Sequence, residues 1–393
     1  MNNFAENSVI KKRIRLGMVG GGEGAFIGEV HRMAARLSDR FELVAGAFSS
    51  TPEKSISSGL NLGLSKERCY ASYTEMVQQE MLRDDGIDAV AIVTPNHMHY
   101  PVAKLFLENG IHVICDKPLT STLDDAYELK KIADNSNCLF IITYNYNAYP
   151  MVREAKDIIE RGELGEIRLV LVEYAQDWLS DSIEMSGSKQ AIWRTDPEKS
   201  GAGGATGDIG THAYNLACFI TGLEVDEISA DVTTFVPGRR VDDNACVWLR
   251  FTPSERGHNV KGTLWCSQVA IGNENGLRIR IYGSHGGLEW SQENPNHLYF
   301  QKRGQPSLCL TRGGAGISDA ARSVTRIPAG HPEGYLEAFA TIYEEAAEAI
   351  IAYSRHHPLE DFPHADINDG LKGIIFIDAC IKSSKQNGEW IKV

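Results

Sequence analysis

Asp116-Lys117-Pro118 closes the apolar run 111–115, and Asp208 stands four residues before His212 at the opening of an apolar helical segment. These are side chains that can move protons. A residue preceding proline is pushed out of the helical region into an extended conformation, so Lys117 is expected to continue its strand and project an ammonium from the strand's carboxyl end. That edge of an open parallel sheet is where a ligand crevice forms. A solvated lysine before a loop proline fits the same tripeptide. If Asp208 and His212 are both helical, they share a face one turn apart. A carboxylate beside an imidazole favours the protonated ring and orients it for acid–base work near neutral pH. The alternative makes Asp208 a helix N-cap and His212 a surface histidine.

A second group of residues has the chemistry of a dinucleotide seat. Gly20-Gly21-Gly22-Glu23-Gly24-Ala25-Phe26-Ile27-Gly28 follows a short apolar run and precedes a helical pattern. Glycine, lacking a Cβ, lets backbone amides approach a pyrophosphate, which then rests at the positive end of the helix. Gly20 and Gly22 fit the G-x-G-x-x-G spacing, but the last glycine, Gly28, comes as though two residues had been inserted. Ala25, Phe26 and Ile27 lie in that extension and are expected beside the cofactor; a plain glycine-rich turn is the alternative. The run 41–48 would ordinarily end in an acidic residue for the ribose hydroxyls of NAD. It ends in Phe48-Ser49-Ser50-Thr51 instead. NAD is expected, with Ser49 beside it, and NADP stays open because Lys54 follows closely. Thr94-Pro95-Asn96-His97-Met98-His99 reads as a polar loop over the cofactor, with Thr94, Pro95, Asn96 and His99 in contact, or as the mere start of the next helix. No metal is expected, since nothing nearby completes a ligand set for the two histidines.

These groups need a frame to position them. Apolar runs at 14–19, 41–48, 89–94, 112–115 and 139–143 alternate with helical segments at 28–37, 74–83, 101–109 and 123–135. Runs without polar alternation mean strands covered on both faces, so residues 1–143 are expected to form a doubly wound parallel α/β sheet. After Tyr144 the texture changes. A helix at 151–161 stops at Gly162, then come alternating strands at 167–175, 227–235, 244–251, 261–268, 277–283 and 287–291, and helices at 335–352 and 370–384. Residues 144–393 are therefore expected to form an α+β domain with a large, mostly antiparallel open sheet, its last helix packing back on the first domain. The segment 311–330 reads as a long surface loop.

Composition narrows the function classes. With 393 residues, 42% hydrophobic and 23% charged, the chain is long enough for two cores. A formal charge of −13 argues against a nucleic-acid partner, and the cluster Lys11, Lys12, Arg13, Arg15 reads as a solvated lead-in to the first strand. Eight scattered cysteines without a metal or disulfide spacing fit free thiols in a reducing compartment. No apolar stretch has signal-peptide or membrane-span character, so a cytoplasmic protein without a membrane partner is expected.

Gly20-x-Gly22 with its helix, Thr94-Pro95-Asn96-x-x-His99, Asp116-Lys117-Pro118 and Asp208-x-Gly210-x-His212, in that order, closely resemble the glucose-fructose oxidoreductase/inositol dehydrogenase family (Gfo/Idh/MocA). The resemblance spans essentially the whole chain. It implies an N-terminal Rossmann domain, a nicotinamide cofactor in the interdomain cleft, and a homodimer or homotetramer built through the C-terminal sheet. It also implies that Lys117 touches the substrate hydroxyl and the nicotinamide region, that His212 is the catalytic acid/base, and that Asp208 sits beside it. Asp116 stands where the family usually has glutamate. Trp193 and Arg194 look like a family element reaching into the cleft. Tyr144 and Tyr146, at the domain crossover, are expected to line the nicotinamide or substrate pocket. Gln176 and Trp178 are expected to hydrogen-bond and stack on a sugar ring, and His331 to close the site from outside. The activity implied is NAD(P)-dependent hydride transfer at a secondary hydroxyl of a sugar, glycoside or cyclitol. Two rival readings remain: an oxidoreductive glycosidase that oxidises a ring hydroxyl transiently, and a non-catalytic nicotinamide-binding sensor.

Overall fold

A computed structural model describes residues 13–357 and 363–393. Lys11 and Lys12 of the basic lead-in lie outside the described residues; Arg13 pairs with Asp39, and Arg15 with Asp88. The chain begins β1 (Ile14–Gly20), α1 (Phe26–Leu37), β2 (Phe41–Ala47), α2 (Pro52–Asn61), α3 (Tyr73–Glu80), β3 (Ala89–Val93), α4 (His99–Glu108), β4 (His112–Cys115), α5 (Leu123–Asn135) and β5 (Phe140–Ile142). The strands pair in parallel in the order β2-β1-β3-β4-β5. Leu16, Met18, Ile92, Val113 and Ile114 are fully enclosed, as unbroken apolar runs require of a doubly covered sheet. Sequence patterning did not reveal α2. Its inward position Ser55 satisfies itself by accepting from the Phe48 amide and donating to the Tyr70 carbonyl, so the helix packs without an apolar stripe.

The rest of the chain runs α6 (Pro150–Glu160), β6 (Ile167–Ala175), α7 (Lys189–Arg194), α8 (Pro197–Ser200), α9 (Thr211–Thr221), β7 (Val225–Thr233), β8 (Asn244–Phe251), β9 (Lys261–Ser267), β10 (Gly276–Gly283), β11 (Gly286–Ser291), β12 (His297–Lys302), β13 (Leu308–Thr311), α10 (Asp319–Ser323), α11 (Tyr335–Ser354), α12 (Ile367–Lys385) and β14 (Ile391–Lys392). Among the described residues nine strands form one sheet, β13-β12-β11-β10-β6-β9-β8-β7-β14, antiparallel except where β6 meets β9. Alternation decides the two faces. On β8, Ala245, Val247, Leu249 and Phe251 point inward while Cys246 and Trp248 are exposed. Helices α6, α9 and α12 pack along the inner face.

Two long helices tie the sheets together. α11 packs on α1, α12 packs on α5, and the Ile142 amide donates to the Ala365 carbonyl at 3.0 Å. Segment 311–330 is more ordered than the loop expected: it starts within β13 and carries α10. Arg312 explains why, since its buried guanidinium pairs with Glu333 at 2.8 Å and donates to the carbonyls of Ile327, Pro328 and His331.

Candidate active site

The turn after β1 owes its shape to close approach. Gly20 has φ +83°, and a Cβ there would lie 2.7 Å from the Val93 carbonyl oxygen. A Cβ on Gly22 would lie 2.7 Å from the Phe48 carbonyl oxygen. Gly28 packs against Gly21 so tightly that a Cβ would sit 2.3 Å from its Cα, which explains the late final glycine: the longer turn still brings α1 onto itself. Gly22→Ala is expected to weaken NAD binding at least ~10-fold and to lower stability by about 1–3 kcal/mol through overpacking. Cofactor titration by tryptophan fluorescence and thermal unfolding check this.

From that turn a cleft of ≈ 1220 Å³ runs between the two sheets, lined by Gly20, Gly22, Ala25, Phe26, Ile27, Ser49, Lys54, Thr94 and Pro95 at one end. Lys117, Asp208 and His212 line it further in. Its volume exceeds the ~300–1,000 Å³ of ordinary small-molecule pockets, which suits two ligands side by side.

Lys117 comes from the turn after β4, where the Lys117–Pro118 peptide is cis. Its Nζ donates to Asp208 Oδ1 at 3.0 Å and to the Asp208 carbonyl. The other carboxylate oxygen accepts from Gln268 Nε2 at 2.8 Å and from Arg194 Nε at 3.2 Å. Burial raises the Asp208 carboxyl, but the charges of Lys117 and then Arg194 outweigh it and hold the group far below the usual carboxylate range. Arg194 is itself flanked by Trp193 and Trp178, with its guanidinium 4.2 and 5.7 Å from the ring centres.

His212 corrects one expectation. Asp208 lies in a wide π-type turn, Thr206–Gly210, before α9 begins, and no hydrogen bond joins its carboxylate to the imidazole. Two cations and an amide already occupy the carboxylate. The imidazole sits instead among the rings of Tyr146, Tyr144 and Tyr174, at 4.9, 5.7 and 6.2 Å, with Nδ1 buried and unpartnered. Burial, with the Lys117 charge second, pushes His212 well below its ordinary value, so the ring is neutral. A neutral imidazole is a proton acceptor.

The wall beyond is a neutral polar network. Tyr146 and Tyr174 share a hydroxyl contact of 2.6 Å, Tyr174 Oη and Gln176 Nε2 donate to Asn275 Oδ1 at 2.8 and 2.7 Å, and Trp178 Nε1 donates to Gln176 Oε1 at 3.0 Å. Asp116 lies at the cleft floor, accepting from Thr143 Oγ1 at 3.0 Å. Burial raises it, yet His31 and then Lys117 bring it down to about 2.

Four expected residues do not reach the cleft. Asn96 is buried and donates across to the Ser200 carbonyl at 2.8 Å, tying the loop after β3 to α8. His99 is fully enclosed, with Nδ1 2.7 Å from the Pro118 carbonyl and Nε2 3.0 Å from that of Thr94, so it braces the Lys117 turn from behind. Tyr144 spends its hydroxyl on Thr211 at 2.7 Å and faces the cleft only through His212. His331 is exposed on the Arg312 loop, outside the lining.

One family model, described as "Oxidoreductase family, NAD-binding Rossmann fold", matches residues 14–144, and a second, "GFO/IDH/MocA C-terminal domain", matches 152–289. The oxidoreductase YfiI of Bacillus subtilis is 36% identical over 389 residues, 98% of each chain. The chain belongs to the Gfo/Idh/MocA family. Among solved structures, an oxidoreductase from Sinorhizobium meliloti is 56% identical with TM-score 0.89, covering 97% of this chain and 100% of that one. An inositol dehydrogenase homolog from Azotobacter vinelandii, complexed with NADH and myo-inositol, is 35% identical with TM-score 0.89, covering 97% and 98%.

As a Gfo/Idh/MocA member the protein is an NAD(P)-dependent oxidoreductase. Its residues fit the dinucleotide: the glycine cradle has no space for a Cβ at Gly20 or Gly22, and Ser49, Ser50 and Lys54 line the cleft beyond β2. The site also contains residues that sequence reasoning missed. Gln268 ends the strand expected at 261–268 and follows β9 directly, but nothing in that pattern marked it as chemical, and Asn275 lies in the turn before β10; Tyr174 was legible as an inward β6 position two before Gln176. Asn145 lines the cleft at 1% exposure with Nδ2 unpartnered, a donor ready for a ligand.

Proposed function

We propose that the enzyme transfers hydride between NAD and a secondary hydroxyl of an uncharged sugar, glycoside or cyclitol, with Lys117 and His212 as the proton-transfer groups. The supporting observation is that these two side chains, far apart in sequence, meet in one cleft with the glycine turn. NAD, when bound, supplies the hydride chemistry, so the protein's task is alignment and proton movement. Neutral His212 takes the hydroxyl proton. Lys117, anchored on Asp208, donates to the hydroxyl oxygen and steadies it as that proton leaves. Asn145, Gln176 and Asn275 hold further hydroxyls, while Trp178 stacks on the ring.

Lack of charge in the substrate follows from pairing. Lys117 and Arg194 already share Asp208, Glu274 also lines the cleft, and Lys189 at the rim is exposed. A uronate or sugar phosphate would bring an anion with no free buried cation among the described lining residues to meet it, and kcat/KM for it is expected to fall at least ~10-fold below the neutral parent. A spectrophotometric panel of NAD and NADP reduction against sugars, inositols, glycosides and their acidic derivatives tests the reading. Myo-inositol comes first, given the relative that binds it. Absence of reduction with every polyol sinks it, and so does sugar release without NADH. Exposed Leu169, Trp248, Tyr282 and Tyr299 on the outer sheet face support self-association there, and the eight free cysteines support a cytoplasmic setting. Among the described residues no helix is long and apolar enough to cross a membrane.

A further inference from the structure

His31 lies on α1, the helix whose first turn adjoins the glycine cradle, and its side chain is completely buried. Its Nδ1 is 2.9 Å from Tyr343 Oη on α11, and its ring lies 5.2 Å from that of Phe339. Its Nε2 has no hydrogen-bond partner and points at Asp116, 4.0 Å from Oδ1. An apolar residue would fill this space without leaving a buried donor unpaired, which costs about 1–3 kcal/mol. The polar ring therefore has a use that packing does not explain.

We infer that His31 is a positioning residue for the catalytic lysine: its Nε2–H holds the Asp116 carboxylate and so sets where the Asp116-Lys117-Pro118 turn presents the Lys117 amine. The tautomer follows from the neighbour. Burial pushes the Tyr343 hydroxyl well above its ordinary value, so it keeps its proton and donates to Nδ1, leaving the ring proton on Nε2. The 4.0 Å separation is one small rotation beyond a hydrogen bond, and contacts around catalytic groups are often long until the reacting complex assembles. On the other flank His99 grips the Pro118 carbonyl and Thr143 donates to Asp116. The turn is thus clamped from α1, α4 and the end of β5. Aspartate, one methylene shorter than the glutamate that the family resemblance implies here, is reached by this histidine from the cofactor helix itself.

The inference rests on the proposed function for its kinetic consequence but has a test independent of it. His31→Gln places an amide nitrogen near the position of Nε2, His31→Asn places one near Nδ1, and His31→Phe keeps the volume. With a polyol that the wild type oxidises, the Phe and Asn variants are expected to lose about 10–100-fold in kcat, with KM for NAD and the fluorescence-measured NAD dissociation constant within about twofold. The Gln variant is expected to recover most of the loss. Equal behaviour of Gln and Asn, or wild-type kcat in Phe, overturns the assignment. Independently, in ¹⁵N-histidine-labelled protein, Asp116→Asn is expected to move the His31 Nε2 resonance; an unmoved resonance overturns it as well. If the wild type oxidises no polyol, the functional reading has failed, and the resonance alone decides the case of His31.

Discussion

His212→Asn is expected to lower the turnover of polyol oxidation by about 10²–10⁴-fold with folding and NAD affinity retained. Asparagine keeps the size of the ring's inner half but accepts no proton, so the loss isolates proton transfer from packing. The same residue fixes the pH behaviour. Because burial and the Lys117 charge hold the imidazole well below its ordinary value of 6.5, the basic form persists as pH falls through 6.5. The acid limb of kcat/KM is therefore expected below that point. Stability follows the opposite partner: below about 6.5 the unfolded histidine binds a proton that the folded one refuses, so this group makes the fold less stable as pH drops. Steady-state kinetics from acid to neutral pH and denaturant unfolding at the same pH values check both. An acid limb at or above 6.5 would falsify the buried-base assignment.

Lys117→Ala is the second large effect, expected to reduce turnover about 10²–10³-fold. The lysine is 12% exposed and shares Asp208 with Arg194, so its removal leaves a buried carboxylate with one cation and Gln268. A stability loss of about 1–3 kcal/mol should accompany it, read from thermal or denaturant unfolding. Since the Lys117 charge is part of what lowers His212, the acid limb of the residual activity is expected to move upward. Lys117→Arg is not expected to restore turnover, because a planar guanidinium cannot place a single donor at the same point. A Lys117→Ala enzyme with wild-type turnover and an unmoved acid limb removes the lysine from the mechanism.

Much of this site was legible in the chain because the informative residues are chemically unusual for their places. A lysine before proline at the end of an enclosed strand, and a histidine opening an apolar helix, stand out against their neighbours. Their partners do not. Asp208 is four residues from His212, a spacing that suggests a shared helical face, yet its carboxylate is claimed by Lys117, Arg194 and Gln268, which come from separate parts of the sequence. Asn96 and His99 carried polar chemistry next to the cofactor loop, but both spend it on backbone carbonyls behind the cleft. The parallel sheet was visible from its unbroken apolar runs, whereas β12, β13 and β14 escaped notice. β13 is four residues long with an exposed pattern, and β14 has two residues, too short for alternation to register.

The single carboxylate shared by Lys117 and Arg194 also bears on how such an enzyme can diversify. On the proposed function, a replacement at Arg194 that reshapes which carbohydrate fits also alters the field felt by the Lys117 amine through the shared Asp208, so recognition and rate are genetically entangled. Variants selected for a new sugar should carry epistasis between these two loci, and compensating changes should gather around Gln190, whose amide oxygen accepts from Arg194, and Gln268, whose amide donates to the shared Asp208 carboxylate.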